Sequence, residues 1–211
     1  MAVRFGIKGR LRFLSHAEML KLFQRASARA GIKVRYSRGF NPRPGISLPL
    51  PKSTGVESDD DLLCIKVETS PQLSDIEQLK TGLSDQLPDG CQLLRVEMAK
   101  AKTSFQPCEA AYVFPVKPQC LDLALKSRIR RLLENKTLNI ERRTDAKGNV
   151  RTVDVRPFLK SIEFDDKNIL VKCKISSAGS IRIEEILKLL ELSIQNLTAP
   201  IRRESVQYQT N

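Results

Sequence analysis

The amino-acid sequence predicts an α+β fold in which the element order β-α-β-β-α-β occurs twice. In each half of the chain, short segments with alternating apolar residues surround two longer segments with helical spacing. A stretch with little periodicity, residues 99–108, separates the halves. This order is that of the ferredoxin-like sandwich. We therefore expect two tandem ferredoxin-like domains, a basic N-terminal one over residues 1–100 and a C-terminal one over residues 109–211, with a linker at about 99–108.

The first half begins with a strand at residues 3–7, where apolar and polar side chains alternate. A helix should follow, because Ser15 and Glu18 have the S-x-x-E spacing of a capping box and Gly31 is placed to end the helix. The remaining predicted elements are strands at residues 34–36, 62–67 and 92–98, with a helix at residues 73–87 before the last strand.

The second half repeats this pattern with one additional strand. Its predicted elements are a strand at 111–116, a helix at 121–133, a hairpin of residues 138–142 and 150–155 around a turn at 145–148, a strand at 169–175, a helix at 183–192 and a strand at 201–208. The halves share negligible sequence identity. The prediction is therefore a repeated architecture and not a sequence repeat.

Positive charge is concentrated in residues 1–51. This stretch contains eleven Lys and Arg residues and a single acid, Glu18, so its net charge is +10 (eleven minus one), against +12 for the whole chain. A region of one sign destabilises the folded state through self-repulsion and favours binding of a polyanion. Nucleic acid is therefore the first ligand that we expect.

The first helix has a cationic face. Lys21, Arg25 and Arg29 recur every four residues and should therefore lie side by side. Another face should contact the sheet and consists of Met19, Phe23, Ala26 and Ala30. Binding of nucleic acid or phosphate is one interpretation of the cationic face, and a solvated helix face without a ligand is the other.

The loop at residues 38–45 mixes cations, an aromatic residue and residues that restrict the backbone. Its two prolines limit φ, whereas its two glycines permit turns that other residues avoid. Such a loop can present Phe40 for base stacking and Arg38 or Arg43 to phosphate groups. Alternatively, the loop is a crossover over the first helix, with Phe40 buried. The complete set of predicted nucleic-acid-binding residues is Arg10, Arg12, His16, Lys21, Arg25, Arg29, Arg35, Arg38, Phe40, Asn41 and Arg43.

The only histidine, His16, should be the first helical residue after the Ser15 cap. The positive end of the helix dipole, together with Arg10 and Arg12, favours a neutral imidazole near pH 7. A neutral imidazole beside a phosphate site is suited to act as a general base on a ribose hydroxyl. A hydrogen-bonding or packing role is the alternative, and the spacing of the sequence implies no second catalytic group.

The sequence contains no metal or cofactor motif. Its five cysteines are scattered without a CxxC pair, so we expect neither a zinc site nor an iron–sulfur cluster, and we interpret the cysteines as buried reduced thiols of a cytoplasmic protein. There is no apolar run of membrane-spanning length and no signal-peptide pattern. The acidic run Asp59-Asp60-Asp61 is interpreted as a solvated turn.

Several motifs point to a known family: Arg12-Phe13-Leu14-Ser15-His16, Arg25-Ala26-Ser27-Ala28-Arg29-Ala30-Gly31, Tyr36-Ser37-Arg38-Gly39-Phe40-Asn41-Pro42-Arg43-Pro44, Pro49-Leu50-Pro51, Gly55-Val56-Glu57-Ser58, Val153-Asp154-Val155-Arg156-Pro157 and Gly179-Ser180-Ile181-Arg182. They resemble the radical SAM-linked domain family of unknown function. One departure is Ile183, where that family commonly has a proline. Members occur fused to, or encoded beside, a radical SAM protein with a cobalamin-binding-like domain, so the resemblance implies such a partner.

A more distant resemblance, at the level of the fold, is to the tandem ferredoxin-like RNA-binding proteins of CRISPR systems, which include repeat-processing endoribonucleases.

These observations leave three hypotheses for the function of the protein. The first, which we prefer, is a non-catalytic RNA-binding accessory module that works with a radical SAM enzyme in RNA modification. This chain lacks a CxxxCxxC motif, so the radical chemistry would belong to the partner. The second is a metal-independent endoribonuclease with His16 as general base, and the third is a protein–protein adaptor for the radical SAM partner.

Overall fold

The structure is a computed structural model of the 211-residue chain that describes residues 1–68, 75–100, 103–143 and 149–210. The chain forms two compact units. The first comprises Met1–Gln106 and Tyr208–Asn211, and the second comprises Pro107–Gln207. Both units combine α-helices with a sheet, which confirms the prediction of an α+β fold.

In the described residues up to position 100, the first unit contains four strands, two α-helices and a 3₁₀ helix. These elements are β1 (Ala2–Ile7), the 3₁₀ helix (Gly9–Phe13), α1 (His16–Arg29), β2 (Ile46–Ser47), β3 (Glu57–Ile65), α2 (Ile76–Ser84) and β4 (Cys91–Glu97). The strands lie in the order β4-β1-β3-β2, and each neighbouring pair is antiparallel. The beginning of the second predicted helix, at residues 73–74, falls outside the described residues.

The core of the first unit lies between this sheet and its two helices. Met19, Phe23 and Ala26 of α1 are buried there, as the apolar spacing of the sequence predicted. The ring of Phe23 contacts the ring of Phe5 on β1 edge to face, with a centroid distance of 4.7 Å and an interplanar angle of 68°. Burial of a side chain of this size contributes roughly 1.5–3 kcal/mol. This contact therefore orients α1 on the sheet.

The acidic run at residues 59–61 lies inside β3, so its interpretation as a solvated turn is wrong. Cations from β1 and from the residue after it neutralise part of the run. Arg4 Nη1 lies 3.2 Å from an Asp60 carboxylate oxygen, and Lys8 Nζ lies 3.9 Å from Asp59. Antiparallel pairing of β1 with β3 thus brings opposite charges together, which offsets the repulsion between adjacent carboxylates.

The strand predicted at residues 34–36 is replaced by two isolated bridges. Val34 pairs with Val67, whereas Tyr36 pairs with Pro44 inside its own loop. Within residues 34–47, only Ile46–Ser47 forms a ladder with β3. The prediction was wrong here because the chain after residue 34 turns back on itself, and proline, which lacks an N–H group, cannot extend a ladder.

The second half of the chain contains β5 (Phe105–Pro115), α3 (Leu123–Glu134), β6 (Asn139–Arg143), β7 (Val150–Asp154), β8 (Leu159–Phe164), β9 (Asn168–Lys174), α4 (Ile183–Leu190) and β10 (Arg202–Thr210). Four of these strands lie in the order β10-β5-β9-β8. The β6 and β7 strands form a separate two-stranded sheet, as the hairpin prediction required. The predicted turn of that hairpin, at residues 145–148, lies outside the described residues.

Two strand predictions in this half need correction. The β5 strand begins at Phe105, six residues before the predicted start and within the predicted linker. The β8 strand was not predicted at all. A register shift between Leu159 and Ser161 places the buried residues of β8, Leu159 and Ile162, three positions apart. Such an irregularity hides the period of two by which a strand is recognised in a sequence.

All five cysteines are free thiols. Cys173 is buried, whereas the other four are half-buried, so the expectation of buried thiols is confirmed for Cys173 alone. Burial raises the pKa of both Cys91 and Cys173 to about 12. Neither thiol is therefore ionised at neutral pH.

Within the described ranges, no helix combines the length and the apolar character that a membrane crossing requires.

An ion pair attaches the β6–β7 hairpin to α4. Arg142 donates from Nε and Nη2 to the two carboxylate oxygens of Glu185, over 2.6 and 2.8 Å, and also to the Ser180 carbonyl oxygen over 2.7 Å. Glu185 is only 4% exposed. Burial by itself would raise the pKa of Glu185, but hydrogen bonds from Arg142 and the Arg182 amide outweigh it and lower that pKa below its usual value. Glu185 is therefore a buried anion that depends on Arg142.

Arg142→Met should lower the free energy of unfolding at pH 7 by about 3 kcal/mol, because it leaves the Glu185 carboxylate buried without its partner. Arg151→Met is the matched control, since Arg151 lies directly opposite Arg142 in the hairpin and is exposed. We expect it to change stability by less than about 0.5 kcal/mol. Urea denaturation of the three proteins measures both effects.

The difference between wild type and Arg142→Met should also depend on pH. Since the pKa of Glu185 is depressed in the folded state, its stabilising contribution is present above the unfolded value of about 4.3 and disappears as pH falls through the folded pKa. Denaturation between pH 7 and pH 3 should therefore show the two proteins converging at the acidic end. A constant difference over that range would contradict this account of the ion pair.

Candidate nucleic-acid interface

The start of α1 is held by the capping box that the sequence predicted. The Ser15 hydroxyl accepts the Glu18 N–H over 3.3 Å, while the Glu18 carboxylate accepts the N–H and the hydroxyl of Ser15 over 2.8 and 2.7 Å. Hydrogen bonding from Ser15 lowers the pKa of Glu18. Glu18 is therefore a fixed anion at the start of a helix whose exposed face is otherwise cationic.

The cationic face of α1 lines an open groove of about 600 Å³, which we call the α1 groove. Lys21, Arg25 and Arg29 are exposed along one wall, and residues 85–88, which follow α2, form part of the other. Arg29 spans the groove, because its Nε donates to Gln86 Oε1 over 3.0 Å and its Nη2 donates to the Gln86 carbonyl oxygen over 2.7 Å. The predicted alignment of the three cations is thus confirmed.

The α1 groove is not uniformly basic. The carboxylates of Glu18 and Asp85 line it together with the three cations. Apolar side chains complete the lining: Leu14, Leu22, Leu87 and Pro88. The groove therefore offers a mixed surface, with cations along one helix and apolar contacts beside them.

Residues 35–44 form a second basic feature, a self-contained loop that we call the arginine arm. At its base, the Arg35 N–H donates to the Lys66 carbonyl oxygen and the Gly45 N–H donates to the Arg35 carbonyl oxygen, both over 2.7 Å. Within the arm, the Ser37 N–H donates to the Arg43 carbonyl oxygen over 2.8 Å, and the Arg43 N–H donates to Ser37 Oγ over 2.9 Å. These bonds order the arm without any contribution from its arginine side chains.

The side chains of the arm point into solvent. Phe40 is fully exposed, at 107%, and Tyr36 is 57% exposed. The exposed polar residues of the arm are Arg35, Ser37, Arg38, Asn41 and Arg43. Phe40 is thus exposed, which excludes the alternative in which its ring is buried, and its role in base stacking stays a prediction. Within the described part of the chain, none of the three arginines forms an ion pair, and residues 19–56 contain no acid.

The 3₁₀ helix positions Arg10 and Arg12. Arg10 is exposed. The side chain of Arg12 is only 27% exposed, lies 3.9 Å from a carboxylate oxygen of Glu57, and donates to the Gly9 carbonyl oxygen over 2.9 Å. Its guanidinium also lies 4.4 Å from the ring centroid of Phe13. Arg12 is therefore engaged by its own surroundings, unlike the arginines of the arm.

His16 is the first residue of α1, as predicted. Its Nδ1 atom is shielded from solvent and has no hydrogen-bond partner among the described residues. The imidazole lines a cavity of about 10 Å³ together with Asp61 and Lys52, neither of which the sequence analysis selected. Asp61 lies two residues from the core residue Leu63 on the same face of β3, and this period of two is the signal that was available.

The predicted binding residues therefore fall into separate groups. Lys21, Arg25 and Arg29 meet in the α1 groove, while the arginine arm holds the predicted residues from position 35 to position 43. Arg10 and Arg12 belong to the 3₁₀ helix that precedes His16. No group of three His, Cys, Asp or Glu residues in the described ranges has the arrangement of a metal site.

Gly45→Ala should disturb the base of the arginine arm, because a Cβ atom there would lie 2.8 Å from both the Arg35 carbonyl oxygen and Lys66 Cβ. We expect a loss of about 1–3 kcal/mol in the free energy of unfolding and faster amide exchange at the base of the arm. Gly82→Ala, in α2, is the control, because a Cβ atom there would meet nothing within 4 Å beyond the helix's own backbone and the adjacent residues; it should stabilise by about 0.5–1 kcal/mol. Stabilisation by both substitutions would contradict the tight packing at Gly45.

Comparison with known proteins identifies a family for this chain but assigns no activity to it. No curated protein matches the chain. The profile of the family DUF2344, described as "Uncharacterized protein conserved in bacteria", matches residues 1–189, a range that includes every predicted site residue. That description assigns no partner, so association with a radical SAM protein stays a prediction. With the greater part of its length matched, the chain belongs to the DUF2344 family.

Proposed function

We propose that this protein is a non-catalytic RNA-binding module and that the arginine arm is its RNA contact. The observation that supports this most directly is the exposure of Phe40 between Arg38 and Arg43 on a loop whose backbone is already ordered. An exposed aromatic ring beside guanidinium groups that form no ion pair with the described residues provides both components of single-strand recognition, stacking on a base and neutralisation of phosphates.

The energetics of the arm also favour a nucleic-acid ligand. A fully exposed phenylalanine contributes nothing to the core, so its apolar surface is available to a ligand. The backbone hydrogen bonds of the arm reduce the ordering entropy that binding would otherwise require. The neighbouring cations have no carboxylate partner in the described residues, so binding need not break existing ion pairs.

We also propose a partner enzyme and a finer fold assignment for the module. The resemblance of its motifs to the radical SAM-linked domain family supports a role beside a radical SAM enzyme that modifies RNA. The strand orders β4-β1-β3-β2 and β10-β5-β9-β8 support a tandem ferredoxin-like architecture, since a split βαβ arrangement produces this order. In the second half, the β6–β7 hairpin would then be an insertion between a helix and a strand.

Fluorescence anisotropy with a labelled, unstructured 20-nucleotide RNA tests the proposal between 50 and 200 mM KCl. Phe40→Ala should weaken binding about tenfold at every salt concentration, since stacking on one base contributes roughly 1–3 kcal/mol. Arg38→Gln with Arg43→Gln should reduce the slope of log affinity against log salt by about 1.4, which corresponds to two phosphates at roughly 0.7 each.

Arg130→Gln with Arg131→Gln is the matched control, because it removes the same charge from exposed positions of α3. This variant should keep the affinity and slope of the wild type. Affinity that is independent of salt, or an equal loss in the arm and control variants, would refute a specific role for the arm.

The cavity beside His16 supports a second candidate function, metal-independent RNA cleavage. His16, Asp61 and Lys52 come from three segments of the chain and line one small cavity, so residues with an imidazole, a carboxylate and an ammonium group are neighbours there. The Lys52 Nζ atom donates to the carbonyl oxygens of Arg12 and Ser53, over 2.7 and 3.2 Å. Cleavage of structured RNA in the presence of a chelator should then be lost in His16→Ala and retained in Phe13→Ala, an exposed residue of the preceding 3₁₀ helix. Equal cleavage in wild type and His16→Ala, or none in either, would exclude this activity.

A further inference from the structure

The α1 groove differs from the arginine arm in the chemistry that it offers. Three cations contribute three positive charges and Glu18 and Asp85 contribute two negative charges, so the groove has a net charge of only +1. Four apolar side chains line it beside these groups. A polyphosphate would meet two carboxylates there and would leave the apolar surface unused. A protein segment with both charged and apolar side chains matches this lining better.

The spacing of the cations specifies the form of such a segment. Lys21, Arg25 and Arg29 lie one helical turn apart, which corresponds to about 6 Å between neighbours and about 12 Å overall. Carboxylates at positions i, i+4 and i+8 of another helix have the same spacing. Apolar residues on the adjacent face of that helix would contact Leu22, Leu87 and Pro88. This is the helix-in-groove mode of peptide recognition.

We propose that the α1 groove is a docking site for an acidic amphipathic helix of a partner protein. Charge complementarity with the row of cations selects carboxylates on the partner, and the apolar lining requires that the same helix be amphipathic. Glu18 stays anionic because its hydrogen bonds with Ser15 lower its pKa, so it discourages a uniformly acidic ligand such as a nucleic-acid strand. The proposal goes beyond RNA binding by the arm and does not depend on it.

Gln86 holds the Arg29 side chain in one position before a ligand binds. Two of its donor nitrogens are already fixed on Gln86, and Gln86 is itself held by the hydrogen bond from its N–H to the Leu83 carbonyl oxygen over 3.1 Å. The guanidinium therefore keeps its place in the groove, and Nη1, which has no hydrogen-bond partner among the described residues, can bind a carboxylate. A side chain that is ordered before binding loses less rotamer entropy when the complex forms.

Selection from a displayed library of random 16-residue helical peptides tests the proposal with the full chain immobilised. The wild type should enrich peptides with Asp or Glu at i and i+4 and apolar residues on the adjacent face. Lys21→Glu with Arg25→Glu should bind those peptides at least about tenfold more weakly and should enrich peptides with Lys or Arg at the same spacing. Both positions are exposed, and circular dichroism verifies that the variant is folded.

Arg130→Glu with Arg131→Glu, the same charge reversal on α3, is the control and should retain the peptide preference of the wild type. The single variant Arg25→Glu provides a milder test if the double variant is unstable. The proposal is overturned if wild type and groove variant enrich the same peptides, or if neither enriches an acidic i, i+4 pattern. Competition by RNA for the selected peptides that persists in Arg38→Gln with Arg43→Gln, the variant that lacks two cations of the arm, would also overturn it and assign the groove to RNA.

This experiment distinguishes failure of the RNA-binding proposal from failure of the peptide-docking proposal. Arg38→Gln with Arg43→Gln should lose RNA affinity and keep peptide binding, whereas the groove variant should lose peptide binding and keep RNA affinity. Loss of both ligands in either variant would mean that the arm and the groove are one site.

Discussion

The contact between Phe5 and Phe23 is the constraint on which the candidate sites of the first unit depend. Both rings are at most 1% exposed and meet edge to face, so α1 can adopt only one rotation on the sheet. Residues one turn away from Phe23, Met19 and Ala26, are buried with it. The remaining face of α1 must then point outward, and this face holds the cations.

Pairing of β1 with β3 decides which of the amino-terminal cations remain available. The acids of β3 engage Arg4, Lys8 and Arg12, at distances of 3.2 to 3.9 Å. The cations of α1 and of the arginine arm come later in the chain, in a stretch that has no acid before Glu57. A basic region that is continuous in the sequence is therefore divided in space into a neutralised part and two exposed parts with different surroundings.

The motifs of the second half have a structural role that their sequence did not reveal. Asp154 Oδ1 accepts the Leu138 N–H over 2.7 Å and the Arg156 N–H over 3.0 Å. The Arg156 guanidinium donates to carbonyl oxygens at the end of α3 and at the start of β8, those of Leu133, Asn135 and Leu159. A motif that supports a family resemblance therefore need not mark a binding site, because hydrogen bonds that connect elements of the fold also require particular side chains.

Local patterns determined the capping box of Ser15 and Glu18, the buried face of α1 and the alignment of Lys21, Arg25 and Arg29, because each depends on residues within one or two helical turns. The sequence by itself also predicted the α+β class and the β6–β7 hairpin. Only the tertiary structure decided that Phe40 is exposed, that Asp61 lies beside His16, and that Glu18 and Asp85 enter the α1 groove. Exposure, cavities and ion pairs between distant segments depend on how strands pair and helices pack across the core, and no local pattern encodes those distances.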